Sequence, residues 1–121
     1  MQDRPPRIAA YAEFWPYYLG EHALAATRAW HLAGTALGLC LLGSAAILAE
    51  WRLLPAALVA GYAPAWIAHA VIERNRPATF GYPLWSLVSD LRMLALWLAG
   101  GLAAEIARQA GNPARRSPSR R

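Results

Sequence analysis

The sequence of 121 residues has no lysine, one cysteine and little charge of either sign. The single cysteine, Cys40, excludes a disulfide within the chain, so cysteine usage indicates no redox compartment. Charged residues make up 16% of the chain, against about a quarter in a typical soluble domain. The first residues are not followed by a short apolar core with a small-residue cleavage site, so we expect no signal peptide.

The net charge of +5 comes entirely from arginine. A basic protein could bind nucleic acid, but here the arginines flank apolar blocks or lie in the C-terminal segment, from Arg108 onward. Arginine at the borders of apolar segments is typical of membrane proteins, which keep positive charge near anionic lipid and the cytoplasm. We therefore expect a lipid bilayer as the partner and no nucleic acid.

Hydrophobic residues make up 57% of the chain and are collected into blocks, which predicts an all-α fold, a small integral membrane helical bundle. We expect an interfacial N-terminal helix and three long apolar helices, over about 21–49, 54–73 and 83–108. Neighbouring helices should be antiparallel because the connections are short. One membrane helical domain would cover 8–108, between a disordered N-terminus at 1–7 and a disordered arginine-rich tail at 109–121.

The N-terminal helix is rich in aromatic side chains, which prefer the headgroup level of a bilayer. They predict a helix that lies along the membrane and that Pro16 should interrupt. Packing of the same rings over the helix bundle is an alternative that is compatible with this location. Five aromatic residues fall within eight positions: Tyr11, Phe14, Trp15, Tyr17 and Tyr18.

Small residues in the first long helix predict that another helix approaches it closely. They are Gly34, Gly38, Gly43 and Ser44. The polar turn at 50–52 is very short, so the second helix is the expected neighbour.

Each long helix carries its polar residues on one face, because the steps between them are three or four positions. In a membrane such faces should point inward. The polar groups lie at the start of the first helix, the end of the second and the start of the third, which share one side of an antiparallel bundle. We therefore expect a pocket near that surface formed by His31, His69, Glu73 and Asp90.

The chain has three histidines, His22, His31 and His69. His22 precedes His31 by nine residues, so on one unbroken helix the two would point in nearly opposite directions. His22 can join the pocket only if it lies before the helix or at a distortion near Gly20. Imidazoles with carboxylates suit Fe(II), Zn(II), Mn(II) or Cu(II), and the residue types do not choose among these metals. Axial binding of haem and hydrogen bonding without a metal are alternatives.

Two acids and two arginines accompany these histidines. Glu73 and Asp90 are the candidate catalytic or supporting groups, as ligands or as acceptors that orient an imidazole N–H; pairing with nearby arginines is the structural alternative. Arg76 and Arg28 are the candidates for substrate binding, since a guanidinium beside a pocket open to lipid would suit a fatty-acid carboxylate.

Three segments together resemble a family of small membrane proteins: FWPYYLGEH at 14–22, RAWHLAGT at 28–35, and AWIAHAVIERNRPATFGYPLWSL at 65–87 followed by Asp90. Its bacterial members are mostly uncharacterised, and its fungal relative is an Fe(II)-dependent dioxygenase that removes one carbon from 2-hydroxy fatty acids during phytosphingosine breakdown. The resemblance covers about 11–100 and implies that His22, His31 and His69 bind iron. Arg28 and Thr35 depart from the fungal pattern, which has Asn and Pro near those positions, so the fungal substrate does not transfer.

From the residues and the resemblance we expect a membrane-embedded non-haem iron oxygenase acting on a lipid-like acid, by α-oxidation of 2-hydroxy fatty acids. The alternatives are a non-catalytic helix bundle with polar packing stripes, and a metal- or haem-binding membrane protein without oxygenase activity. The resemblance implies a protein of the bacterial inner membrane, and the arginines predict that its site faces the cytoplasm. Three full crossings would export the arginine-rich tail, which the same rule disfavours; either the third helix does not cross fully or the charges of the tail are outvoted. The sequence indicates no oligomeric state.

Overall fold

The computed structural model describes residues 7–76 and 81–113, and the regular structure within these ranges is helical. The helices are α1 (Tyr11–Glu21), α2 (Ala25–Leu48), α3 (Leu53–Ile67), α4 (Pro83–Leu98) and α5 (Leu102–Gln109). A π-helical turn, Ala68–Glu73, continues α3 directly. The all-α prediction is confirmed for the described residues, whereas the predicted arrangement of three long helices is not observed.

Helices α2 and α3 form a tight antiparallel hairpin. The chain reverses after Ala49, which adopts a left-handed conformation (φ 51°), and the Glu50 N–H donates to the Ala45 carbonyl at 3.0 Å, closing a Schellman motif. A Cβ added at Gly34 would lie 3.0 Å from the Ala60 carbonyl oxygen, whose helical N–H partner is missing because residue 64 is proline. Glycine is therefore needed here for close helix packing.

The close approach of another helix, predicted at the small residues of the first long helix, is confirmed only for Gly34 and Gly38. A Cβ at Gly38 would lie 3.1 Å from the Ala57 carbonyl oxygen, so this position is also closely packed. A Cβ at Gly43 would meet nothing within 4 Å, so the prediction of a close approach there is wrong. The hairpin is tightest toward the end that carries His31.

The helical conformation is interrupted between α1 and α2, so the predicted start of the first long helix near Glu21 or His22 is wrong. Helix α1 ends at Glu21 and α2 begins only at Ala25. Pro16 lies inside α1 and does not interrupt it, contrary to prediction. The break leaves His22 outside both helices, where its direction is independent of the α2 repeat.

The predicted third helix over 83–108 is two helices. Helix α4 ends at Leu98, and Gly100 adopts a positive φ of 78°. The Gly101 N–H donates to the Leu96 carbonyl at 2.8 Å, which closes a Schellman motif and ends α4. The adjacent glycines therefore terminate a helix that the apolar composition had suggested was continuous.

Helix α1 packs across α4, and its aromatic face forms the main core. Tyr11 and Tyr18, seven residues apart, bond to the adjacent residues Ser89 and Asp90, so α1 crosses α4 rather than running alongside it. The structure thus realises ring packing over the bundle. Six buried side chains form the core cluster: Phe14, Trp15, Tyr18, Leu19, Met93 and Leu102.

Helix α5 returns to α1. Its Glu105 carboxylate accepts a hydrogen bond from the Trp15 indole N–H at 2.9 Å. The Arg92 guanidinium lies 4.1 Å from the centre of the Trp15 ring, in cation–π geometry. Trp15 on α1 therefore contacts both α5, through Glu105, and α4, through Arg92.

Among the described residues, Ala25–Leu48 and Leu53–Glu73 are long and apolar enough to cross a membrane. Less than a quarter of each apolar window is buried, unlike the core helix of a soluble protein. Leu48, Leu58 and Val59 are more than 60% exposed. Helix α4 has 16 residues and is about 24 Å long, short of the roughly 30 Å of a bilayer core.

The predicted disordered ends fall mostly outside the described residues. Of the N-terminal segment only Arg7 is described, and its guanidinium donates to the Gly81 carbonyl at 2.6 Å. Of the arginine-rich tail, 109–113 are described and begin with the last residue of α5. The arginines that follow lie outside the described residues.

Candidate metal centre

The three histidines come from three different elements. His22 follows the last residue of α1, His31 lies in the second turn of α2, and His69 lies in the π-helical turn. All three are buried, with exposed fractions of 1%, 6% and 1%. The break between α1 and α2 is what allows His22 to turn toward His31, which one continuous helix would prevent.

The three Nε2 atoms form a small triangle. His22 Nε2 lies 3.0 Å from His31 Nε2 and 3.2 Å from His69 Nε2, and the third edge, from His31 to His69, is also 3.2 Å. The predicted convergence of the three histidines is therefore present in the fold.

The Nδ1 atoms of His22 and His69 each face an acceptor. His22 Nδ1–H donates to the Tyr18 carbonyl at 2.6 Å. His69 Nδ1 lies 2.6 Å from Asn75 Oδ1. The orientation of this amide is fixed because its Nδ2 donates to the backbone oxygen and the carboxylate of Glu21. Both rings therefore carry their proton on Nδ1.

The third imidazole is held by a carboxylate. His31 Nδ1 lies 3.2 Å from Asp90 Oδ1, and the same oxygen accepts the Tyr18 hydroxyl at 2.5 Å. Burial, and then the neighbouring Asp90 carboxylate, raise the pKa of Tyr18 well above its ordinary value, so its hydroxyl remains a donor. Asp90 thus fixes the third ring with its proton on Nδ1 as well.

Where each ring carries a single proton, on Nδ1, three Nε2 lone pairs face one another and the short Nε2 contacts are not hydrogen bonds. Burial, and next the neighbouring His31 and His69, lower the pKa of His22 well below its ordinary value, which keeps that ring neutral at neutral pH. Such an arrangement of neutral imidazoles is a ligand set for a cation.

The triangle fits one transition-metal ion. Nitrogens with edges of 3.0–3.2 Å can each lie about 2.1 Å from a common ion, the usual length of a metal–imidazole bond. The nitrogens would then subtend about 90–100° at the ion, which suits one face of an octahedron better than a tetrahedron. Haem fits poorly, because the nitrogens are too close for a porphyrin plane to pass between any two of them.

The remaining candidate residues differ in which groups they contact, and Asp90 contacts one of the three histidine rings. Asp90 contacts it through His31, whereas the Glu73 carboxylate accepts the Leu24 N–H at 2.8 Å and so fastens the start of α2. Arg28 donates to the backbone oxygens of His22 and Ala23 at 2.9 and 2.7 Å. Arg76 is exposed just beyond the π-helical turn.

Sequence reasoning missed three groups that orient the ligands: the Tyr18 carbonyl, Asn75 and Glu21. The carbonyl is reached because His22 lies four residues later, one helical turn from Tyr18. Asn75 reaches His69 because Arg74 adopts a positive φ of 56° and turns the chain back after the π-helical turn. An aspartate or asparagine six residues from a histidine is a weak signal, so spacing alone could not have found it.

The chain matches the family model described as 2-hydroxy-palmitic acid dioxygenase Mpo1-like over residues 8–102. The chain belongs to this family. No curated protein and no solved structure matches it significantly. The region shared with the Mpo1-like family includes the whole triangle and the groups that orient it, and it ends at the first residue of α5. Membership confirms the resemblance drawn from the sequence.

Proposed function

We propose that this protein is a membrane-embedded non-haem iron oxygenase that shortens a long-chain 2-hydroxy acid by one carbon. The observation that carries the proposal is the buried Nε2 triangle, in which His22, His31 and His69 all present lone pairs to one point. Membership of the Mpo1-like family supports the substrate class and the use of O₂. The spacing of the nitrogens supports an octahedral metal such as Fe(II).

The location of the site supports a lipid-like substrate. Helices α2 and α3 have the length and exposed apolar surface of membrane helices, and the triangle lies near the start of α2 and the end of α3. It would therefore face one membrane surface, at the depth where an acid head group meets the hydrocarbon region. The arginine distribution favours the cytoplasmic surface of a bacterial inner membrane.

The overall reaction balances without a further co-substrate. The bond between C1 and C2 of the 2-hydroxy acid breaks, C2 becomes the carboxyl carbon of the shortened acid, and C1 leaves as CO₂. O₂ accepts the four electrons and supplies the oxygen for the new carboxyl group and one water. Bound iron would supply the one-electron steps that the reaction of O₂ with an organic acid requires.

The residues of the chain hold and orient this chemistry. His22, His31 and His69 would bind the metal, while the Tyr18 carbonyl, Asp90 and Asn75 keep each ring in the binding tautomer. Burial of the three rings excludes bulk water from the reacting atoms. Arg76, exposed beside the π-helical turn, is the candidate for attracting the substrate carboxylate to the site.

Anaerobic purification tests this function. We expect about one iron per chain and O₂ consumption with 2-hydroxyhexadecanoate, but none with hexadecanoate, which lacks the hydroxyl. His69→Ala should lose both iron and turnover, while Gly43→Ala, at a position with open space, should keep both. Absence of iron, or turnover unchanged in His69→Ala, would contradict the proposal.

The same measurements separate the alternatives. A non-catalytic bundle predicts that His31→Ala and His69→Ala reduce the folded yield while no metal is retained by the unaltered protein. A metal protein without oxygenase activity predicts stoichiometric metal with no O₂ consumption. A Soret band would identify haem.

A further inference from the structure

An elongated apolar cavity of about 390 Å³ lies between α2, α3 and α4. Its volume is in the range of pockets that bind small molecules. One polar end is formed by Asp90, which also binds His31 Nδ1 at 3.2 Å, so the cavity adjoins the metal centre. Leu42 and Leu54 lie among its lining residues near the α2–α3 turn, at the far end.

The inner face of α2 changes from polar to apolar along this cavity. Thr27, His31, Thr35, Gly38 and Leu42 follow one another at steps of three or four residues and so share one face. The last three line the cavity, while the first two precede it. A ligand in the cavity would have His31 and Thr35 near its polar end and hydrocarbon side chains along the rest. That order matches an acid with a long alkyl chain.

Two buried hydroxyls lack partners at the polar end of this face. Thr27 Oγ1 and Ser86 Oγ make no hydrogen bond within the described residues, although their residues are only 0% and 3% exposed. Each lies one helical turn before a site residue, His31 on α2 and Asp90 on α4. A buried hydroxyl without a partner is costly, and neither residue lines the cavity, so the two hydroxyls mark the polar side of the site beside it.

The length of the cavity sets the length of the ligand. Leu42 is 11 residues after His31, which corresponds to about 16 Å along α2. An extended alkyl chain advances about 1.3 Å per carbon, given a C–C bond of about 1.5 Å. The space along α2 therefore holds about 12 carbons beyond the two at the histidines, and acids of about 14 carbons fill it.

We propose that this cavity is the acyl-chain subsite and that its α2–α3 end, at Leu42 and Leu54, sets the chain length that the protein accepts. The inference rests on the proposed function for the nature of the head group. The head lies at Asp90, beside His31, and the alkyl chain runs from there along α2. Lining residues such as Leu58 and Leu91 are partly exposed, so the chain enters sideways from the bilayer.

Gly61 provides a way to shorten the cavity without disturbing the fold. It lines the cavity, and a Cβ added there would meet nothing within 4 Å. It lies opposite Gly38, since a Cβ at Gly38 would be 3.2 Å from the Gly61 Cα. Gly38 is about 10 Å beyond His31, so Gly61→Leu should leave room for acids of about 10 carbons. Gly43→Leu is the matched control, because Gly43 has equal space but does not line the cavity.

Photo-crosslinking tests the proposal on the full-length protein in lipid nanodiscs, without iron or O₂. A 2-hydroxyhexadecanoate with a diazirine at its terminal carbon should label the peptides that contain Leu42 and Leu54. Gly61→Leu should reduce this labelling at least tenfold, while Gly43→Leu should leave it unchanged. Labelling spread over outward-facing residues such as Ile47 or Val59 would overturn the proposal.

Two further arms distinguish the ligand from bilayer lipid and this inference from the proposed function. A phospholipid with the same diazirine should label the cavity at least tenfold less than the acid. Equal labelling would show that bilayer lipid occupies the cavity and would overturn the inference. A ten-carbon 2-hydroxy acid should compete equally well in Gly61→Leu and in the unaltered protein. Specific labelling without O₂ consumption would support the acyl-chain subsite and contradict the proposed function. Turnover with an unchanged chain-length preference in Gly61→Leu would support the proposed function and contradict the acyl-chain subsite.

Discussion

At the scale of single residues, Asn75 connects two parts of the candidate site, the His69 ring and the end of α1. Its Oδ1 accepts from His69 Nδ1 at 2.6 Å, and its Nδ2 donates to Glu21 at the end of α1. Without this acceptor the His69 proton can move to Nε2, which would then point a hydrogen at the metal position.

We therefore predict that Asn75→Ala weakens metal binding by about 10–100-fold, the usual effect of removing a group that orients a ligand. The measurement is a competition titration against a chelator of known affinity, in detergent. Asn112→Ala, an exposed position beyond α5, serves as the control and should keep full affinity. Equal affinities in the two variants would show that Asn75 does not orient His69.

Glu105 is the residue with a clear pH dependence. The Trp15 N–H first, and Arg108 after it, lower the pKa of Glu105 from 4.5 to about 2. Because the folded pKa is lowered, the carboxylate stabilises the fold above pH 4.5 and this contribution disappears as the pH falls toward 2.

Glu105→Gln should lower the free energy of unfolding by about 1 kcal/mol at pH 7, since a neutral amide accepts the Trp15 hydrogen bond more weakly. The difference from the unaltered protein should shrink as the pH is lowered from 4.5 toward 2. Denaturant titrations in detergent at pH 7 and near pH 2 measure this difference in the free energy of unfolding. Glu13→Gln, exposed on α1, should change the free energy by less than about 0.5 kcal/mol. A Glu105→Gln deficit that persists unchanged at pH 2 would contradict the assignment.

At the scale of helices, the contact between α2 and α3 allows a paired test. Gly34→Ala should lower the free energy of unfolding by about 1–3 kcal/mol, because the new methyl group would lie 3.0 Å from the Ala60 carbonyl oxygen. Gly43→Ala should be neutral or raise it by up to about 1 kcal/mol, since alanine favours helix more than glycine does. Thermal unfolding followed by circular dichroism compares the two, and equal effects would show that the hairpin is not limited by Gly34.

The helices also show how far the sequence could predict this site. The polar faces were visible because His31, His69 and Asp90 lie on segments with a clear helical repeat. His22 could not be placed by the repeat, since its position depends on a break whose cause, the packing of α1 across α4, involves distant residues. The π-helical turn and the glycine-induced end of α4 were missed for a related reason: both are local departures from the repeat by which helices are recognised.

At the scale of the whole molecule, the helix lengths predict how the conflict over topology is resolved. Helix α4 is too short for a straight crossing, and Glu105 in the first turn of α5 contacts Trp15 on α1. The start of α5 is therefore at the level of α1, near the surface at which the three histidines converge. Both termini should then lie on the same side of the membrane.

Reporter fusions test this topology. A compartment-sensitive tag at either terminus should report the cytoplasm, which also keeps the C-terminal arginines on the side that the positive-inside rule favours. Tags that report opposite compartments would show that α4 and α5 together cross the bilayer. In that case the contact between Trp15 and Glu105 could not form in the membrane.

The facing lone pairs of His22, His31 and His69 have a consequence for stability. Where all three rings carry their proton on Nδ1, the Nε2 lone pairs repel one another at these separations, and a bound cation would remove this repulsion. A cation that binds the folded chain and not the unfolded chain would raise the free energy of unfolding by about 2.7 kcal/mol when the free metal is 100 times its dissociation constant. Amide hydrogen exchange at 22–24, compared with and without metal, would measure this stabilisation around His22.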